Sequence, residues 1–315
     1  MVARRLQNST RRPLGLALGL LLVLGLLWPA VAPAYEKIRV DYEFAIEGAA
    51  GLAFEQPTDL ALVGDELYIL DGMNHRVAVF DLQGNFRRQF GNRQELGRAI
   101  GLCDARSPQG GVYVADIPSA RLLHYDGRGA LRQSLAIAPV REREKPDITD
   151  CAVSTANEIF LVDNKNHRIQ VYSREGERQR HWGGFGEAAG QFRFPATIAI
   201  DRDGVLFVVD VINNQVKGFR ASGQPAQWLG GWGITPGRLF RPKGVLVIAD
   251  RVLVSDSYTG VIQVFRSSGR FEGLLTGADG EIARFRTPTN MAFAGNRLYV
   301  VEQLLNQVSV WRLEP

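Results

Sequence analysis

The chain has 315 residues, of which 22% are charged and 9% aromatic, a composition that excludes an intrinsically disordered protein and fits one large domain. The formal net charge of +4 arises at the amino terminus, where four of the 37 basic residues lie within the first twelve positions. Removing those four leaves 33 basic residues, which equals the number of acidic residues. Because nucleic-acid binding needs a net or clustered positive charge, we expect no nucleic-acid partner.

The amino-terminal segment has the pattern of an export signal. An apolar run, Leu14 to Trp28, follows the four arginines, and Ala32-Pro33-Ala34 places small residues where a signal peptidase cleaves. Residues 1–34 are therefore predicted to be a signal peptide, and the protein is predicted to reach the periplasm or extracellular side of the cell envelope. The alternative is an uncleaved anchor as the sole membrane contact, although 15 apolar residues fall short of the roughly 20 that span a bilayer.

Six repeats follow, each marked by an acidic residue that we call the anchor. The anchors are Asp71, Asp116, Asp163, Asp210, Asp256 and Glu302, spaced 45 to 47 residues apart. An aromatic residue stands nine positions after each anchor, and a glycine stands thirteen positions after each of the first five. Each repeat contains apolar or alternating runs of strand length separated by turn residues, which is typical of a β-propeller blade of four strands.

The pattern predicts an all-β, six-bladed propeller over residues 35–315. The predicted blades are 54–91, 97–137, 146–185, 192–232, 239–277, and 285–315 together with 37–46. The last repeat ends before its fourth strand, so the strand-like segment 37–46 is expected to complete that blade in a 3+1 closure and to cover the open sheet edges.

Two repeats closely resemble the NHL-repeat family. Asp71-Gly72-Met73-Asn74-His75-Arg76-Val77 and Asp163-Asn164-Lys165-Asn166-His167-Arg168-Ile169 match its signature, and Asp210 to Val216 matches it more loosely. The second, fifth and sixth repeats depart from it, with Ala120, Gly260 and Asn306 at the histidine position. The resemblance implies a six-bladed propeller used mostly for binding proteins or nucleic acids.

The repeated residues are interpreted as structural. Each anchor is expected to cap its own loop by accepting backbone N–H groups, because six similar copies around a ring indicate architecture rather than catalysis. Asp59, Asp150 and Asn290 are predicted to begin the central channel, where their oxygens are calcium candidates and solvation by water is the alternative. No metal or other cofactor is assigned.

The two cysteines, Cys103 and Cys151, fall in adjacent blades at positions with opposite side-chain directions. They are a disulfide candidate if those directions converge between the blades. The alternative is a pair of buried thiols.

The residues that differ between repeats indicate a binding surface, which we call the loop face. Four apolar loop tips are joined there by aromatic residues and arginines from the segments that link successive blades. The candidate residues are Met73, Ile212, Tyr258, Leu304, Arg193, Phe194, Trp232, Phe240, Arg241 and Arg286. The alternative is that these side chains pack between neighbouring loops.

These observations favour an exported, non-enzymatic module that binds or scaffolds a protein, a peptide or a glycan. The alternative is a metal-dependent hydrolase or lyase with its site in the central channel, for which the four scattered histidines offer little support.

Overall fold

The computed structural model describes residues 35–314, which form a β-propeller. The predicted signal peptide and its cleavage site involve residues outside this range. Within the described residues, no helix is both long enough and apolar enough to cross a membrane.

Residues 35–314 contain twenty-six β-strands. The first are β1 (Glu36–Ile46) and a short hairpin of β2 (Gly48–Ala49) and β3 (Leu52–Ala53). Two four-stranded sheets follow, β4 (Pro57–Val63), β5 (Glu66–Asp71), β6 (Arg76–Asp81) and β7 (Phe86–Phe90), then β8 (Ala99–Asp104), β9 (Val112–Asp116), β10 (Arg121–Tyr125) and β11 (Leu131–Ala136). Two more are β12 (Ile148–Val153), β13 (Ile159–Asp163), β14 (Arg168–Tyr172) and β15 (Arg178–Gly183), then β16 (Pro195–Ile200), β17 (Leu206–Asp210), β18 (Gln215–Phe219) and β19 (Pro225–Gly230).

The remaining strands belong to one larger sheet together with β1. They are β20 (Pro242–Ile248), β21 (Arg251–Asp256), β22 (Val261–Arg266), β23 (Phe271–Thr276), β24 (Pro288–Ala294), β25 (Arg297–Glu302) and β26 (Gln307–Leu313). A 3₁₀-helix, Gln303–Leu305, connects β25 to β26. The eight strands run in the order β20-β21-β22-β23-β1-β26-β25-β24.

Burial explains why the strands differ in sequence. The middle strands are covered on both faces by neighbouring sheets, so β13 is apolar except for its final aspartate and is buried throughout. The outer strand β15 lies at the rim and alternates between exposed and half-buried residues. The core therefore consists of apolar layers between sheets.

The predicted six separate blades with a simple 3+1 closure are wrong. The structure has four separate four-stranded sheets, and the strands predicted to form the fifth and sixth blades are joined into one eight-stranded sheet. The cause is the length of β1, which pairs antiparallel with β26 through Val40 to Ile46 and also parallel with β23 through Glu36 to Arg39. The predicted pairing with the last strand is present, but the second pairing was not anticipated.

Polar side chains join several of the inner strands. The strands β4, β8, β12, β16, β20 and β24 contact one another in this order, and β24 contacts β4. The hydroxyls of Thr149 in β12 and Thr197 in β16 each donate at 2.7 Å to a backbone carbonyl of the next inner strand. Ser255 in β21 donates at 2.7 Å to the carbonyl of Thr289 in β24. Because the two threonine bonds cross between sheets, they limit how far each sheet can rotate relative to its neighbour.

The contact between β8 and β12 uses a covalent bond. A disulfide joins Cys103 to Cys151, and their Cα atoms are 5.6 Å apart. On β8, the strand that contains Cys103, Gly101 lies very close to the backbone of Thr149 and Asp150. A side chain at position 101 would collide with that backbone. A glycine therefore permits the close approach that the disulfide maintains.

Deleting residues 37–46 tests the role of β1. We expect the deletion to lower the melting temperature and to cause aggregation, because β23 and β26 would both expose unpaired backbone groups. Thermal melting and light scattering provide the measurement. Tyr42→Ala is the matched control, because it removes an exposed side chain of β1 and leaves the backbone pairing intact. A deletion variant that melts like the intact protein and stays monodisperse would refute this account of closure.

Candidate functional site

All six anchor carboxylates hold the segment that enters the first strand of their own repeat, which we call the link. The donors are the backbone N–H groups of Glu55, Arg98, Asp147, Arg193, Phe240 and Arg286, at 2.6–2.9 Å. The sequence predicted that backbone N–H groups of the anchor's own loop would donate to its carboxylate. Asp256 has such bonds, because it also accepts from the backbone N–H groups of Tyr258 and Thr259. The anchors thus attach each loop to its link.

Two anchors also form buried ion pairs. Asp71 accepts from the Arg76 guanidinium at 2.8 Å, and Asp210 lies 3.0 Å from the ammonium group of Lys217. Burial raises the pKa of Asp210, whereas the N–H of Arg193 and the charge of Lys217 oppose that rise. Because a buried carboxylate needs such partners to remain charged, these pairs serve the architecture of the loops.

The loop face presents large apolar side chains to solvent. Trp232 is 73% exposed, Leu304 67% and Tyr258 64%, and Met73, Ile212 and Phe194 are also exposed. Packing between neighbouring loops, the alternative considered above, does not bury these side chains. Phe240 is half-buried and stacks on Tyr258 with ring centroids 4.5 Å apart. Arg241 and Arg286 are exposed beside them in the links.

Sequence reasoning missed Phe185 and Ile234, which are also exposed in links of this face. Phe185 stands in Gly-Gly-Phe-Gly as Trp232 stands in Gly-Gly-Trp-Gly, so the shared motif could have identified it. Gly184 and Gly186 have positive φ values of 134° and 154°, which allow the link to project Phe185 outward. The guanidinium of Arg193 lies 5.6 Å from the Phe185 ring centroid.

The predicted channel residues bridge inner strands. Asp59 accepts from the N–H of Leu102 in β8 at 2.6 Å and from the side-chain amide of Asn290 in β24 at 2.5 Å. Asp150 accepts from the N–H of Ile198 in β16 at 2.9 Å. Both aspartates are buried, and each also accepts from the N–H of the residue that follows it. They therefore act like the bridges made by Thr149 and Thr197, and Asp150 joins the same two inner strands as Thr149.

Burial changes the titration of both channel aspartates. It raises the pKa of Asp59 to about 7, against the opposing effect of the hydrogen bonds from Leu102, Asn290 and Leu60. Burial also raises the pKa of Asp150 well above its ordinary value, and the charge of Asp59 adds to that rise. The channel thus contains carboxyl groups that gain protons more readily than exposed ones.

The channel candidates do not fit a metal site. Among residues 35–314 there is no group of three or more histidine, cysteine, aspartate or glutamate side chains placed to hold a metal ion. The carboxylate oxygens of Asp59 and Asp150 point to backbone N–H groups instead. Calcium would have to displace these donors to reach its usual six or more oxygen ligands.

A cavity of about 570 Å³ lies at the mouth of the channel. Its wall combines the starts of inner strands, such as Lys243, with links and loops, such as Arg98, Lys145 and Lys165. Sequence reasoning missed these cations, because they come from three different repeats and converge only when the ring closes.

The sequence comparisons match a short part of the chain. No protein-family model matches the chain. Protein brain tumor of Drosophila melanogaster is 31% identical over 64 residues, which cover 20% of this chain and 6% of that protein. The matched part is thus a small fraction of that relative's length, and the NHL resemblance rests on the residues quoted above.

Two solved structures of lyases are similar in fold. Virginiamycin B lyase from Staphylococcus aureus superposes with a TM-score of 0.58 and 15% identity, covering 81% of this chain and 80% of that one. A streptogramin B lyase structure gives a TM-score of 0.64 with 11% identity, covering 87% and 98%. At these identities the similarity shows the β-propeller fold alone.

The pKa of Asp59 predicts a dependence of stability on pH. A carboxyl group with a raised pKa in the folded state binds more protons there than in the unfolded chain, so stability should fall as pH rises from about 4 towards 7. We expect Asp59→Asn to reduce the loss of melting temperature between pH 5 and pH 8. The control is Asp65→Asn, which changes an exposed residue of the β4–β5 turn. An identical pH profile for Asp59→Asn and the unmodified protein would contradict the assignment.

Proposed function

We propose that this chain is a non-enzymatic binding propeller whose loop face docks a protein or peptide. The observation that carries the proposal is the concentration of exposed aromatic and aliphatic side chains on loops and links at one face. Aromatic residues and arginines are enriched where protein interfaces are formed, and an apolar patch of this kind is rarely left uncovered on a monomer. Arg193 lies beside the Phe185 ring, and the ring of Phe240 lies against that of Tyr258. These contacts support exposed aromatic side chains that are held in position before a partner binds.

The architecture leaves these residues free to vary. The anchors hold the loops at their bases, so the apolar tips can differ without loss of the scaffold. A glycan remains a weaker alternative partner, because aliphatic tips such as Leu304 and Ile212 add apolar contact without supplying hydrogen bonds to sugar hydroxyls.

The enzyme alternative has less support. The fold is shared with lyases, but at 15% and 11% identity that similarity shows the fold alone. The channel aspartates are engaged in bridging the inner strands, as described above, and the proposal therefore assigns the function to the loop face.

Substituting two loop tips tests the binding proposal. We expect Tyr258→Ala with Leu304→Ala to weaken partner capture at least about tenfold, because truncating two exposed anchors typically removes more than about 1.4 kcal/mol of binding free energy. Quantitative pull-down from an envelope fraction measures the proteins retained by each variant. The melting temperature should not change, since both side chains are exposed.

Trp228→Ala is the matched control, because Trp228 is 55% exposed on the outer strand β19 and belongs to no loop tip. It should retain every partner that the unmodified protein captures. Equal capture by the double variant would remove the loop face from the function. Stoichiometric, chelator-sensitive metal in the purified protein would favour the enzyme alternative instead.

We also propose that the protein is exported and cleaved after Ala34. The charge and apolar pattern of residues 1–34 supports this, and a disulfide between Cys103 and Cys151 is typical of an oxidising compartment. Intact-mass measurement of protein recovered from its native envelope should give a chain that begins at Tyr35. A mass that includes residues 1–34 would favour the uncleaved anchor.

A further inference from the structure

The cavity at the channel mouth combines size, access and an unusual wall. Its volume of about 570 Å³ lies within the range of small-molecule sites. The links and loops that surround it belong to the same set that forms the loop face, so it opens on that side of the molecule.

Each of the six inner strands contributes to the wall the residue at one equivalent position. These residues are Thr58, Ile100, Thr149, Ala196, Lys243 and Thr289. Lys243 is the cation of this set. Within residues 35–314 its ammonium group donates to no hydrogen-bond acceptor, although its backbone carbonyl accepts from Thr197. Burial and the nearby charge of Arg241 lower the pKa of Lys243, so an anion beside it would relieve an unfavourable environment.

The two neighbours of Lys243 on that side of the ring also lack partners. Strand β20 contacts β24, which contacts β4, so Lys243, Thr289 and Thr58 form an arc at equivalent positions. Both threonines line the cavity, but their hydroxyl oxygens are buried, have no hydrogen-bond partner in the described structure and are out of reach of a molecule in the cavity. Lys243 is therefore the residue of the arc whose polar group can contact a ligand there.

The rest of the wall is predominantly positive, because Arg98, Lys145 and Lys165 line the opposite side. Burial and the charge of Asp163 raise the pKa of Asp147, and the charges of these three cations oppose that rise. Lys145 also donates to the carbonyl of Pro118 at 2.9 Å, which leaves donors on the same ammonium group. Asp147 and the buried Asp59 are the carboxyl groups of the wall, and four cations outnumber them.

We propose that this cavity binds a small polar anion, whose carboxylate or phosphate group lies beside Lys243. The ammonium group of Lys243 supplies the charge-assisted bond to that group. Arg98 and Lys165 attract the anion to the mouth and contact its outer end. The site is independent of apolar docking at the loop face.

Isothermal titration of the purified full chain with citrate and with inorganic phosphate tests the site. We expect saturable, one-to-one binding of at least one of these anions that weakens as salt increases. Binding of citrate alone assigns a carboxylate ligand, and binding of phosphate alone assigns a phosphoryl ligand. Absence of saturable binding for both probes at low salt would overturn the proposal.

Substitutions locate the anion within the cavity. Lys243→Gln should weaken binding about tenfold or more, and Lys165→Gln, which changes an exposed loop, should weaken it less. Arg202→Gln is the control, because it removes the same charge from an exposed residue of the β16–β17 turn outside the cavity. Equal affinity in Lys243→Gln and Arg202→Gln would exclude Lys243 as the contact of the anion. The variant Tyr258→Ala with Leu304→Ala should keep its anion affinity, so the two proposals can fail separately.

Discussion

The hydrogen bond from a link N–H to an anchor carboxylate recurs in every repeat, and the rest of the structure depends on it. It joins two segments 15 to 18 residues apart, the start of an inner strand and the loop after the second strand. A hydrogen bond to an ionised group contributes about 1.5–3 kcal/mol, and an unpaired buried carboxylate would be costly. Loops and links are therefore held in place, even where their tips are apolar and exposed.

The same constraint separates architecture from function. Residues that repeat, such as the anchors, are engaged within the protein. Residues that break the repeat are available to a ligand: the exposed Tyr258 and Leu304 at the loop face, and Lys243 in a column of mostly threonine and apolar residues. A ligand can therefore be recognised by the exceptions to the pattern, while the pattern maintains the ring.

Several kinds of interaction join the inner strands of the ring. Threonine hydroxyls, the aspartates of the channel and a disulfide with a facing glycine perform equivalent tasks. Asp59 and Asp150 show why a polar residue near a channel need not be a ligand site, because their lone pairs are directed at backbone donors. The cations at the channel mouth, rather than these carboxyl groups, are therefore the candidates for a ligand site.

The sequence by itself determined the repeat length, the strand pattern, the anchors and the exposed tips, since each depends on local spacing or on side-chain type. The tertiary structure decided that β1 pairs with both β23 and β26, because eleven residues are long enough to serve two partners and spacing does not reveal parallel pairing. It also decided that every anchor bonds to its link, and that several anchors are held by side chains of their own loops rather than by backbone N–H groups there. The assembly of Lys243 with Arg98 and Lys165 was likewise invisible in the sequence, because only closure of the ring brings distant repeats around one cavity.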